Sequence, residues 1–176
     1  APGPWQAVRD LQPGAGMLSD GGPDGRWVGN EKGFAGETNW SLLKRADFAP
    51  GAADREALNA GQEDGTHWLP AEVDVSIRPG WYYHEAEDSL VRTVPQLLEI
   101  YYASVGRNAS MLLNVPPDKT GRIPAVDSLR LMEFARALAA EFSKDLAADA
   151  RVSASNVRGH SGKYGAMRVT DGDTAT

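Results

Sequence analysis

The chain contains no cysteine, which removes disulfide staples and thiolate metal sites while leaving the redox compartment open. Histidine is scarce. His67, His84 and His160 are the only three, and their separations match neither H-x-H nor H-E-x-x-H, so no metal site is expected from them. No apolar run approaches the ~18 residues of a membrane span. Cations are the minority, with 18 Lys and Arg against 24 Asp and Glu and a net charge of −6. They are also scattered, whereas a polyanion such as nucleic acid calls for clustered cations. The first residues carry neither an initiator Met nor a signal-peptide pattern, and Trp5, Val8 and Leu11 stand at helical spacing as though a helix were entered partway. The chain is therefore expected to be an excerpt of a longer protein.

What is present is globular in character. Of 176 residues, 41% are apolar and 24% charged, enough for one ordinary domain or pieces of two. A helix is predicted over about 4–11 and a short strand over about 15–19. A loop dense in glycine and carboxylates follows, from Ser19 to Glu31. Residues 50–66 are rich in Gly, Ala, Asp and Glu and read as an exposed lid or surface loop. His67 to Ile77 alternates as a strand and is broken by Arg78-Pro79-Gly80. Thr93-x-x-Gln96 is a capping box opening a helix whose apolar stripe runs through Leu97, Leu98, Tyr101 and Val105, with Gly106 placed to end it. Met111 to Val115 is a continuous apolar run of the kind buried on both faces in parallel sheets. A last helix begins near Pro124, with Leu129, Met132, Ala135, Leu138, Ala139 and Phe142 on its apolar side. This alternation predicts an α/β fold with a parallel sheet or barrel. After Leu146 the texture changes, and Arg151 to Ser155 alternates, which suggests the start of an all-β domain.

The chemistry concentrates in the loop after the first strand. Arg26, Trp27 and Glu31 combine an apolar ring face with charged hydrogen-bonding groups, which suits a sugar, while Asp20, where a strand should end, fits a catalytic place and a cap of the following turn equally. A loop just past a strand is also where barrel enzymes keep their catalytic residues. Glu31 is the leading carboxylate. It sits in a loop beside Trp27 and Phe34, and apolar walls favour the protonated state that a general acid needs. An ion pair with Arg26 that merely holds the loop fits the pattern equally well. Glu37, Glu72 and Asp74 are rivals, and Asp74 could instead pair with Arg78. Trp81, after a Pro-Gly turn, is either a stacking platform or a core aromatic. Asn114 at a strand end could line a pocket or cap a turn.

Three segments, GPDGRWVGNEKGFAGETNW (22–40), HWLPAEVDVSIRPGWYYH (67–84) and IYYASVGRNASMLLNVPPDKTGRI (100–123), closely resemble glycoside hydrolase family 29, the α-L-fucosidases. The subgroup acting on α-1,3- and α-1,4-linked fucose is the most similar. The likeness runs through about residues 5–147. The tail, 148–176, resembles less fully the opening of a discoidin-type β-sandwich. The resemblance implies a retaining glycosidase on a (β/α)8-type barrel, needing no metal or organic cofactor and acting on fucosylated oligosaccharides or glycoconjugates. An Asp attacks the anomeric carbon and a Glu serves as acid and then base, the two carboxyls lying ~5–5.5 Å apart. The family's acid/base Glu aligns with Glu31, the aromatic wall near fucose with Trp81, and the neighbourhood of the same pocket with Arg26. The family's nucleophile motif, an Asp preceding a Gly on an earlier strand, has no counterpart here. Residues 1–147 are thus expected to be the C-terminal half of the barrel, inactive without the remainder, in a protein that is secreted or periplasmic. A barrel that binds carbohydrate without cleaving it is the alternative.

Overall fold

The computed structural model describes residues 4–48, 54–148 and 150–173. Their contacts divide into two compact units, Ala1–Phe134 and Ala135–Thr176.

The first unit is built on four parallel strands in the order β1-β2-β5-β6. These are β1 (Leu18–Ser19), β2 (Gly25–Trp27), β5 (Ala71–Ser76) and β6 (Ala109–Asn114). Helix α1 (Pro4–Leu11) precedes them, as its spacing predicts. Between β2 and β5 the chain forms β3 (Leu42–Leu43), α2 (Arg55–Ala60) and β4 (His67–Trp68). β3 and β4 pair antiparallel as a separate two-stranded sheet. Helix α3 (Val94–Ser104) links β5 to β6, and α4 (Ala125–Glu141) follows.

Several sequence expectations change. The Ser19–Glu31 stretch is not one loop, because Gly25 to Trp27 form a strand between β1 and β5. Alternation could not reveal it, since the side chain buried at its centre is Arg26. The strand expected over 67–77 divides at Leu69 and Pro70, and its two parts join different sheets. Within the expected lid, residues 50–53 lie outside the described residues, while Arg55–Ala60 is helical. Asp54 caps that helix by accepting from the Glu56 amide at 2.9 Å, and Leu58 packs with Leu43, Phe48 and Leu69. Gly61 ends the helix at φ 66°, where a Cβ would fall 2.1 Å from the Trp40 carbonyl oxygen, so only glycine fits.

On β5 the residues Ala71, Val73 and Val75 are buried on one face, each valine contributing about 1.5–3 kcal/mol. Glu72, Asp74 and Ser76 face the other way, as the two-residue period dictates. β6 is an edge strand with one open face: Leu112, the partner of Asp74 in the register, is 46% exposed. Its apolar run is therefore not covered on both sides. α3 opens with the predicted capping box, the Gln96 side chain accepting the Thr93 amide at 2.9 Å. It buries Leu97, Ile100 and Ser104, while Val105 is exposed. Asn108, at φ 61°, rather than Gly106, supplies the left-handed stop that closes the turn after α3. On α4 the packed residues are Val126, Leu131 and Phe134, against Ile77, Val91 and Leu97. The predicted stripe is out of phase, with Leu129 55% and Met132 50% exposed. The helix is turned by Asp127, which is buried against Arg78.

In the second unit, the residues expected to open a β-sandwich form short 3-10 turns at Arg158–His160, Gly162–Tyr164 and Ala166–Val169. No strand occurs among the described residues there. A strand requires a partner ladder, and local alternation alone cannot provide one.

Candidate active site

Because β1, β2, β5 and β6 are parallel, Ser19, Trp27, Ser76 and Asn114 all end at the same side of the sheet. Trp27 and Glu72 are register partners, as are Ser76 and Asn114. The Trp27 indole N–H donates to Asp74 Oδ1 at 2.7 Å, which crosses from β2 to β5. Asp74 therefore holds Trp27, and the structural pair with Arg78, one of the two readings the sequence left open for it, does not form. Burial, and next the charge of Asp74, push the Glu72 carboxyl above its ordinary value.

Glu31 lies past the end of β2. Gly29 takes φ 80° and turns the chain. The Asn30 side chain then donates to the Phe34 carbonyl at 3.0 Å and accepts from the Lys32 amide at 3.0 Å. The loop is thereby closed around Glu31, whose side chain is exposed on an open cleft of about 1140 Å³. Trp27, Phe34, Glu37, Arg55 and Asn59 line the same cleft, so Glu37 shares Glu31's surroundings and Glu72 does not. From the loop after β5, the neighbour of β2, the Trp81 indole N–H donates to Glu31 Oε2 at 3.0 Å. Two residues 50 apart in sequence thus meet above the strand ends.

The Trp81 loop is fastened at several points. Asn114 Nδ2 donates to the Trp81 carbonyl at 3.0 Å and to Ser76 Oγ at 3.0 Å, and Ser76 Oγ donates to the Gly80 carbonyl at 2.7 Å. Arg78 is buried. It donates to Asp127 from Nε at 2.9 Å and Nη2 at 2.8 Å, to Asp88 from Nη2 at 2.8 Å, and to the His84 carbonyl from Nη1 at 3.2 Å. Its guanidinium carbon also sits 4.9 Å from the Tyr83 ring centre. These carboxylates, Asp127 first, hold the guanidinium charged.

Arg26 is corrected by the geometry. Its side chain is wholly buried, and its guanidinium donates to the Leu58 carbonyl at 2.8 Å, the Leu69 carbonyl at 2.6 Å and Asn39 Oδ1. Burial lowers its pKa to about 10. With three acceptors engaged inside the protein, it ties α2 and the β4–β5 junction to β2, and its burial keeps it from the cleft that Glu31 faces. Ser76, Asp88 and Asp127 went unremarked in the sequence. Their partners are distant in the chain, and no local spacing signals them. Among the described residues, no three His, Cys, Asp or Glu side chains gather as a metal site would require.

A parallel sheet with tryptophans and carboxylates assembled at the carboxyl ends of its strands is the arrangement of a TIM-barrel-type glycosidase. The chain belongs to the alpha-L-fucosidase family, glycoside hydrolase family 29, whose model matches residues 44–141. Alpha-L-fucosidase 1 of Arabidopsis thaliana is 44% identical over 168 residues, covering 95% of this chain and 33% of the relative. The crystal structure of a glycoside hydrolase 29 family member from an unknown rumen bacterium superposes with a TM-score of 0.79 at 42% identity, over 86% of this chain and 27% of that one. A GH29 fucosidase of Ruminococcus gnavus in complex with fucose gives a TM-score of 0.82 at 30% identity, over 97% of this chain and 36% of that one. The chain spans about a third of the length of the curated relatives it matches.

Proposed function

We propose that this chain is the C-terminal part of the catalytic barrel of a retaining α-L-fucosidase acting on α-1,3- and α-1,4-linked fucose. The observation that carries the reading is the Glu31–Trp81 contact above the strand ends, in a chain of the alpha-L-fucosidase family. Glu31 protonates the glycosidic oxygen as the bond to fucose breaks and an Asp outside this chain bonds to the anomeric carbon. Glu31 then takes a proton from water as water displaces that Asp. Two carboxylates suffice for both steps, so the residues present call for no metal or organic cofactor.

Trp27 and Trp81 offer apolar ring surface to the sugar, while Arg26 acts from the interior by holding β2 in place. The uncovered face of β6, with Ser110 and Leu112 open, is where the remaining strands of the barrel pack. Residues 148–176 lead into a β-sandwich. The substrates are fucosylated oligosaccharides or glycoconjugates outside the cell, which makes the protein secreted or periplasmic.

The test is hydrolysis by the full-length protein of α-1,2-, α-1,3- and α-1,4-linked fucosyl oligosaccharides, with the first-formed anomer followed by proton NMR. Release of α-fucose from the 1,3 and 1,4 linkages is expected. Binding without release would establish the carbohydrate-binding alternative, and initial release of β-fucose would exclude retention.

A further inference from the structure

The Trp81 ring has both a face and an edge to offer, and its edge is engaged. The indole N–H reaches Glu31 Oε2 at 3.0 Å. Trp81 itself is only half-buried, so packing alone does not fix the ring. Its backbone is fixed instead, by Asn114, by the Ser76–Gly80 bond and by the buried pair of Arg78, on its own loop, with Asp127 of α4. A rigidly mounted donor aimed at a carboxyl on a separate loop is a geometry for orienting that carboxyl.

We propose that Trp81 is the positioning residue for Glu31, with its N–H assigning the two carboxyl oxygens different tasks. An indole N–H only donates. The oxygen facing it cannot present a proton toward it, so a protonated Glu31 carries its proton on Oε1. Oε2 remains the acceptor of the indole throughout. In the first step the proton passes from Oε1 to the departing glycosidic oxygen, whose bond to the anomeric carbon breaks as the nucleophilic Asp bonds to that carbon. In the second, Oε1 takes a proton from water while the water oxygen bonds to the anomeric carbon and the Asp departs. Without the indole donor, Glu31 has an exposed side chain free to sample other rotamers, and each misaimed rotamer lowers the rate of proton transfer. This rests on the acid/base reading of Glu31 and adds a role that a stacking aromatic would not have.

The test compares Trp81→Phe with Glu31→Gln in the full-length protein on two substrates. One is an aryl fucoside with a good leaving group, which departs with little help from an acid. The other is methyl α-L-fucoside, which needs the proton. Trp81→Phe keeps a ring and removes the donor. Its kcat/KM on the methyl fucoside, which reports the first step, is expected to fall by about 10- to 100-fold, with kcat/KM on the aryl fucoside falling no more than about threefold. Equal losses of kcat/KM on both substrates would leave Trp81 no role beyond ring contact with the sugar and overturn the proposal.

Glu31→Gln separates the two layers of the argument. If it shows strong leaving-group selectivity while Trp81→Phe shows none, the acid assignment stands and the positioning role falls. If Glu31→Gln shows no selectivity, the acid assignment falls and takes this proposal with it. Should Trp81→Phe fail to fold, the 15N-labelled indole resonance of Trp81 provides the readout. Its proton is expected to move upfield in Glu31→Ala, and an unchanged resonance would overturn the contact.

Discussion

Arg78 and Asp127 meet through two parallel hydrogen bonds of 2.9 and 2.8 Å, with both side chains sealed from solvent. The pair joins the loop that carries Trp81 to the first turn of α4. Asp127 stands near the helix N-terminus, where a negative charge is favoured, and the planar fork of Arg78 suits two-point contact with a carboxylate. Asp127→Ala would leave a buried guanidinium with only Asp88, 43% exposed at its side chain, as its charged partner. A loss of about 3–5 kcal/mol in unfolding free energy is expected. Urea unfolding of the full-length protein checks it, and a loss below about 1 kcal/mol, the scale of a surface pair, would show that the clamp does not matter.

Arg26 is expected to behave as a structural residue. Arg26→Lys retains the charge, but one ammonium cannot reach the Leu58 and Leu69 carbonyls and Asn39 in the directions the guanidinium does. Leaving buried acceptors unpaired should cost on the order of 3 kcal/mol, with KM for an aryl fucoside held within about twofold. Denaturant midpoints and steady-state kinetics measure the two quantities. A large rise in KM at unchanged stability would return Arg26 to the substrate.

Glu72 gives a pH signature. Burial and the neighbouring Asp74 raise its carboxyl above the ordinary 4.5, so the folded chain holds that proton more readily than the unfolded chain does. The resulting stabilisation is fully present below 4.5 and is lost as pH rises through the raised folded value. Glu72→Gln, neutral throughout, should therefore unfold at a higher temperature than the parent at pH 7, with the gap closing toward pH 4. Thermal unfolding at the two pH values decides it, and a gap of the same size at both would contradict the assignment.

Much of the fold was legible because local rules wrote it. α1 follows its spacing, the capping box starts α3, and the parallel alternation of strands and helices is visible in the order of apolar runs. The failures share a physical cause, in that long-range polar contacts overrode local pattern. Arg26 hides β2 because a cation occupies its buried position. Asp127 turns α4 so that Val126, Leu131 and Phe134 pack while Leu129 and Met132 do not. Glu31 and Trp81 could each be picked out from composition and turn chemistry, but their contact could not, since two separate loops bring them together. Asp74 was visible as a carboxylate on a strand, but Trp27 as its partner was not. The register with β2, which places Trp27 within its reach, forms only in the sheet.

The central claim is that Glu31 gives and takes the proton, and removal of its carboxyl with chemical rescue tests it most directly. In Glu31→Ala of the full-length protein, an activated aryl fucoside should still load the nucleophile, but water attack on the intermediate should slow, with turnover falling by about 10²- to 10⁴-fold. Azide needs no general base. Adding it should restore turnover and yield fucosyl azide of the same α configuration as the substrate. Parent-level turnover without azide, or no rescue and no fucosyl azide with it, would contradict the role of Glu31.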